Sequence, residues 1–97
     1  MGLKDKMIND VYDILEKHIF QFNTEKVRNE MCINLSNYLS RDVIDCTSQE
    51  LIDQGKYDFF IKIDNNNYPL FYYLENYYSI ERRYKIQKIK QKYGKNN

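Results

Sequence analysis

The sequence has few of the residue types that build catalytic, metal-binding and phosphate-binding sites. It holds one histidine, two cysteines, three glycines, one proline and no tryptophan. Cys32 and Cys46 form no CxxC motif, and His18 alone cannot complete a zinc site with them at a recognised ligand spacing. Three isolated glycines provide no glycine-rich phosphate loop. We therefore expect no metal and no cofactor.

Membrane-spanning and catalytic patterns are missing as well. No apolar run approaches the roughly eighteen residues of a transmembrane helix, and no signal peptide is evident, so we expect no membrane contact and two reduced thiols. The carboxylates form no DxD or ExxH motif. No nucleophile neighbours His18, which lies where a helix dipole favours a cation. The sequence predicts a protein that is not an enzyme.

The charge of the chain is unevenly distributed. Its 97 residues suffice for one small domain, and the net charge is +1. From Ser79 onward, seven cations and one acid give a local charge of about +6, which leaves about −5 on the rest. This polarity suits contact with nucleic acid, contact with an acidic partner, or head-to-tail attraction between copies of the chain.

Two amphipathic helices are predicted in the first half. Apolar residues recur at helical spacing from Leu3 to His18. Asn23 or Thr24 can accept hydrogen bonds from the free N–H groups that open a second helix. Arg28 is expected away from its apolar stripe. That stripe comprises Val27, Met31, Leu35, Tyr38 and Leu39.

A small, mainly antiparallel sheet is predicted to follow. The segment "DVIDC" is typical of a short strand, and "TSQE" is a capping-box pattern that opens one helical turn ending at Gly55. Apolar residues alternate in "YDFFIKID", and a tight turn is predicted at Asn65 and Asn66. This register places apolar residues opposite one another: Ile63 with Tyr68, Ile61 with Leu70, Phe59 with Tyr72, and Tyr57 with Leu74.

The same register exposes aromatic side chains on the reverse face of the hairpin. Phe60 lies opposite Phe71, and Tyr73 lies opposite Asp58. Either the C-terminal helix folds back over this face or a partner covers it. Pro69 has no backbone N–H to donate to a neighbouring strand. Its strand therefore lies at the edge of the sheet, or its backbone nitrogen faces outward. We predict a protein interface at Phe60, Phe71 and Tyr73.

The C-terminal segment "SIERRYKIQKIKQKYG" predicts a basic helix with a thin apolar stripe. The expected fold is α+β, with two N-terminal helices packed on a small antiparallel sheet with a hairpin, plus this helix. We assign residues 1–78 to a single domain and residues 79–97 to a basic helix or tail. The candidate contacts with nucleic acid or an acidic partner are Arg82, Arg83, Lys85, Lys88, Lys90 and Lys92.

Three stretches together carry a resemblance to a known family. They are "FQFNT", the helix "VRNEMCINLSNYL" and the continuation "VIDCTSQELIDQGKYDFFIKI". In this order they resemble the C-terminal module of contractile phage tail sheath proteins, over about Met7 to Ile63. The Asn-Thr, Cys and Ile-Asp positions are the distinctive ones. The large preceding domains of a sheath protein are absent, the Asn-rich loop after Cys46 is shortened, and the segment after Asp64 has no counterpart.

The resemblance implies a small virion protein, such as a tail, neck or baseplate component, found in the host cytoplasm before assembly. Its partners would be other virion proteins or copies of itself, within an oligomer or a large assembly. The alternative is a nucleic-acid-binding or host-directed phage regulatory protein that acts through the basic helix, where tyrosines lie among the cations. We expect nucleic-acid binding to be weak and non-specific.

Overall fold

Five helices and three strands form the part of the chain that the structure describes. The computed structural model describes residues 2–18 and 23–94, with side-chain environments as far as Gln87. The elements in chain order are α1 (Leu3–Glu16), α2 (Glu25–Leu39), β1 (Asp42–Asp45), α3 (Gln49–Asp53), β2 (Phe59–Ile63), β3 (Asn66–Pro69), α4 (Leu70–Glu75) and α5 (Tyr77–Gly94). The predicted α+β class is confirmed.

The sheet is antiparallel and has the order β1-β2-β3, so β2 is its central strand. Alternation along β2 turns Phe59, Ile61 and Ile63 into the core, as expected for a strand with one covered face. Helix α2 packs on β1, α4 packs on β2 and β3, and α1 packs on α2 and α4. The helices therefore build the core against one face of the sheet.

The ends of α2 and α3 follow from local chemistry. Thr24 caps α2 by accepting a hydrogen bond from the Val27 N–H at 3.2 Å, as predicted. The cap of α3 is Ser48, one residue after the first position of the predicted capping box. Gly55, with φ of +70°, ends that turn as expected, because glycine adopts the left-handed region without a steric cost.

The predicted hairpin register is wrong by two residues, and the second strand is shorter than expected. The turn lies at Asp64 and Asn65, where Asp64 has φ of 53°. Ile61 therefore lies opposite Tyr68, and Phe60 lies opposite Pro69. Asp tolerates positive φ much as Asn does, so the turn forms one residue earlier. Pro69 is on an edge strand, as predicted.

The chain turns helical immediately after Pro69, which contradicts the predicted strand continuation. Leu70, Tyr73 and Leu74 are all buried along α4. Their spacing is the i, i+3, i+4 pattern of a helix, while Leu70, Tyr72 and Leu74 also fit the alternation of a strand. Both periods are present in the sequence, and the helix is the one that buries Tyr73.

Helix α5 is joined to the domain by its first two turns. Ile80 and Tyr84 are buried in the core. The Tyr84 hydroxyl accepts a hydrogen bond from Asn66 Nδ2 at 2.8 Å and lies 3.0 Å from the Tyr68 hydroxyl. The helix starts two residues before the expected Ser79. The predicted boundary after Tyr78 thus falls inside a helix whose beginning is part of the core.

Candidate protein interface

The structure separates the three aromatic residues that were predicted to form one interface. Phe60 is half-buried on the outward side of β2, with Ile44 and Pro69 as its cross-strand neighbours. Phe71 lies on α4 with 38% of its surface exposed. Tyr73 is fully buried. A common sheet face for them is therefore excluded, because the segment that carries two of them is helical.

Buried Tyr73 belongs to a polar network that attaches α5 to the rest of the domain. Its hydroxyl donates to Glu81 Oε2 at 2.5 Å. Arg41, between α2 and β1, donates from Nε to Oε2 at 2.9 Å and from Nη2 to Oε1 at 2.5 Å. Burial opposes ionisation of Glu81, but these hydrogen bonds outweigh it and lower its pKa. Glu81 is thus held as a carboxylate that orients α5.

A second polar network holds α2 against the sheet through Arg28. Arg28 is buried, although the sequence pattern placed it away from the apolar stripe. Its Nε donates to Asp45 Oδ2 at 2.8 Å, and its Nη1 donates to Asn23 Oδ1 at 2.7 Å. Thr47 donates from its hydroxyl to Asp45 Oδ1 at 2.6 Å. No local sequence signal reveals the pairing of Arg28 with Asp45, since the two residues are 17 positions apart in the chain.

An exposed apolar and basic surface lies on the side of α5 that faces away from the core. Tyr78 and Ile86 are 57% and 46% exposed. With Arg82 between them at four-residue spacing, they lie on one side of the helix. They border an open groove of about 900 Å³, which we call the α5 groove. It is lined by Leu3, Tyr77, Tyr78, Ser79, Glu81, Arg82, Lys85 and Ile86.

The predicted cationic contacts divide into two groups. Arg82, Arg83 and Lys85 are exposed, and Arg83 borders a second open groove together with Arg82 and Ile86. The side chains of Lys88 and Lys90, and that of Lys92, lie outside the described residues. The structure therefore places three of the six candidate cations on the exposed surface of α5.

The two cysteines differ in their environment, and the pKa of each thiol is raised. Cys32 is buried, and burial together with the Asp45 carboxylate raises its pKa to about 11. Cys46 is exposed, and its pKa is also raised, first by partial burial and then by Asp58. Both thiols are therefore protonated at neutral pH, which disfavours nucleophilic chemistry.

The described residues present neither a metal-binding cluster nor a membrane-spanning helix. They contain no group of three or more His, Cys, Asp or Glu side chains placed to hold a metal ion. Within the same ranges, no helix has the length and apolar character required to cross a membrane.

No protein-family model, curated protein or solved structure matches this chain.

Proposed function

We propose that this protein is a structural subunit of a phage particle, in the tail, neck or baseplate, and that it has no catalytic role. It joins other virion proteins or copies of itself through the exposed surface of α5. The observation that carries the proposal is the two-sided character of this helix. Its inner side, with Ile80 and Tyr84, is buried, whereas Tyr78 and Ile86 are exposed among cations.

Apolar side chains exposed together on a helix are typical of a surface that another protein covers. Arginine and tyrosine are also among the residues enriched at protein interfaces. In the α5 groove, Tyr78 and Arg82 lie next to Leu3, which is itself an exposed apolar residue. The composition of this surface supports a docking role.

The resemblance to tail sheath modules supports the choice of a virion assembly. Several residues in the similar stretches build the domain: Thr24 caps α2, and Arg28 links Asn23 to Asp45. The similarity therefore concerns side chains that hold α2 on the sheet. This is the part of the molecule that a sheath-like architecture would share.

The outward side of the sheet offers a second contact surface. Phe60 and its neighbour Ile44 are only partly covered, and Pro69 beside them is exposed. None of the three belongs to the buried core cluster. An assembly subunit with two contact surfaces can bind neighbours on both sides, which stacking into rings requires.

Mass spectrometry of purified phage particles whose genome encodes this chain tests the proposal. We expect the protein in intact particles at many copies per particle, retained after nuclease treatment and high-salt washing. Its absence from particles, with abundant protein in the lysate of infected cells, would refute a structural role. A non-structural protein of the same phage serves as the control for carry-over.

Nucleic-acid binding remains the second candidate, because Arg82, Arg83 and Lys85 are exposed next to Tyr78. A titration with labelled single- and double-stranded DNA and RNA over a range of salt concentrations distinguishes the two. We expect weak binding that fades as salt rises and shows no sequence preference. Submicromolar, sequence-selective binding at physiological salt would favour a regulatory protein instead.

A further inference from the structure

The outward side of α1 is acidic, whereas the exposed surface of α5 is basic. Asp5, Asp13 and Glu16 are exposed on α1, together with Tyr12. Helical spacing places these four on one side of the helix. Within the described residues, the ion pairs on α1 use Lys4, which bonds Glu75, and Lys6, which bonds Asp10. The three exposed carboxylates thus keep their charge uncompensated by ion pairs in this part of the fold.

Within the described residues, the exposed cations of α5 also form no ion pair, although Lys85 is close enough to Glu81 to help lower the pKa of that carboxylate. Arg82, Arg83 and Lys85 make no ion pair with any residue that the structure describes. The acid within this helix, Glu81, already pairs with Arg41. The fold therefore presents a basic surface and an acidic surface, each with an exposed tyrosine, and brings neither against the other.

We propose that the α5 groove of one copy docks on the acidic side of α1 in a second copy. This inference deepens the proposed function, since it names the partner that the α5 surface binds. Charge complementarity selects a second copy: the C-terminal segment carries about +6 and the remainder of the chain about −5. Opposite potentials on two surfaces raise the association rate and fix the orientation of docking.

The geometry of such contacts determines the kind of assembly. The two surfaces are different patches on one molecule, so each contact is head-to-tail and leaves one free surface at each end. Head-to-tail contacts generate closed rings or open stacks, whereas self-complementary patches stop at a dimer. The docked tyrosines, Tyr78 and Tyr12, would add apolar contact to the charge pairing.

Two variants, each lacking one surface, test this arrangement. The tail variant is Arg82→Gln/Lys85→Gln, and the body variant is Asp13→Asn/Glu16→Asn. All four side chains are exposed, so both variants should keep the wild-type circular dichroism spectrum and melting temperature. The full chain is measured by light scattering and sedimentation over a range of concentrations, at low and high salt.

We expect the wild type to grow in mass with concentration, and its association to weaken about tenfold or more between low and high salt. Each variant alone should remain a monomer. An equimolar mixture should form a particle of twice the monomer mass and stop there, because one intact surface of each kind is available. A matched control, Lys26→Gln/Lys62→Gln, removes two exposed cations elsewhere and should assemble like the wild type.

Several outcomes would overturn the inference. The inference is refuted if the wild type is a monomer at every concentration, whether or not it binds nucleic acid. It is also refuted if the tail variant assembles like the wild type. Normal assembly of the body variant would exclude α1 as the partner. Loss of assembly in the control would mean that the tail variant fails to assemble because of its changed net charge and not because the α5 groove is altered. A monomer that is nevertheless found in phage particles refutes only this inference, whereas an assembling protein absent from particles refutes only the proposed function.

Discussion

Replacing Glu81 with glutamine should weaken the attachment of α5 to the domain. Glu81 accepts two hydrogen bonds from Arg41 and one from Tyr73. Hydrogen bonds to a charged group contribute about 1.5–3 kcal/mol when buried. The side chains of Arg41 and Glu81 are 24% and 22% exposed, so solvent reduces the contribution of their pair to roughly 1 kcal/mol.

The buried phenol adds to this loss. Tyr73 has no contact with solvent. The amide oxygen of a glutamine can still accept the hydrogen bond of its hydroxyl, but this bond to a neutral acceptor is weaker by about 1 kcal/mol than the bond to a carboxylate. We therefore expect Glu81→Gln to lower the free energy of unfolding by about 2 kcal/mol. For a domain of this size, that corresponds to a fall in melting temperature of about 10 °C.

Urea denaturation followed by circular dichroism, together with thermal melts, measures the change. Glu75→Gln is a suitable control, because Glu75 also forms an ion pair, in its case with Lys4, but at 3.6 Å and with most of its side chain exposed. Such surface pairs contribute little, so the control should stay within about 0.5 kcal/mol of the wild type.

Equal stability of Glu81→Gln and Glu75→Gln would refute this reasoning. A second measurement separates the two partners of Glu81. In a double-mutant cycle with Tyr73→Phe, we expect a coupling energy of about 1 kcal/mol. A coupling near zero would mean that the hydroxyl of Tyr73 does not contribute through Glu81.

Three further predictions concern pH, thiol reactivity and the end of α2. The pKa values of Asp45 and Glu81 are lowered in the folded chain because hydrogen bonds outweigh their burial. The free energy of unfolding should therefore be constant above about pH 5 and decline as the pH falls through about 4. Urea denaturation at a series of pH values measures this dependence. An aromatic disulfide reagent should label exposed Cys46 in the native protein and buried Cys32 only in denaturant. Ser40→Gly should raise the free energy of unfolding by roughly 0.5 kcal/mol, because Ser40 has φ of 54° and glycine removes that strain.

Each of these has a clear contrary result. A decline in stability that begins near neutral pH would indicate that groups other than the two carboxylates control it. Rapid labelling of two thiols per native molecule would contradict the burial of Cys32. A destabilised Ser40→Gly variant would show that the left-handed residue after α2 is not strained.

Much of the framework could be predicted from local sequence. The apolar spacing of α1, the capping of α2 by Thr24 and the alternation along β2 each appear within a few residues. These elements depend on contacts between near neighbours and on a repeating period, and both can be read without knowing the fold. The basic character of α5 is likewise a property of composition.

The predicted common sheet face of Phe60, Phe71 and Tyr73 was wrong because the segment after Pro69 fits two periods. Strand alternation and helical spacing are both present from Leu70 to Leu74, and the local sequence does not distinguish them. A strand would have left Tyr73 on an outer face, while the helix buries Leu70, Tyr73 and Leu74 beneath α1 and against β2. Burial of three large side chains outweighs the propensity of this segment for a strand.

The sequence by itself determined α1, α2, α3 and α5, the first two strands, and the opposite charges of the body and the C-terminal segment, because these depend on local order. Only the tertiary structure decided which polar residues became buried and which apolar ones stayed exposed. Arg28 is buried because folding brings Asp45 to it, and Ile86 is exposed because the core ends at Tyr84. A buried charge requires a partner, and partners that are distant in sequence meet only once the chain has packed.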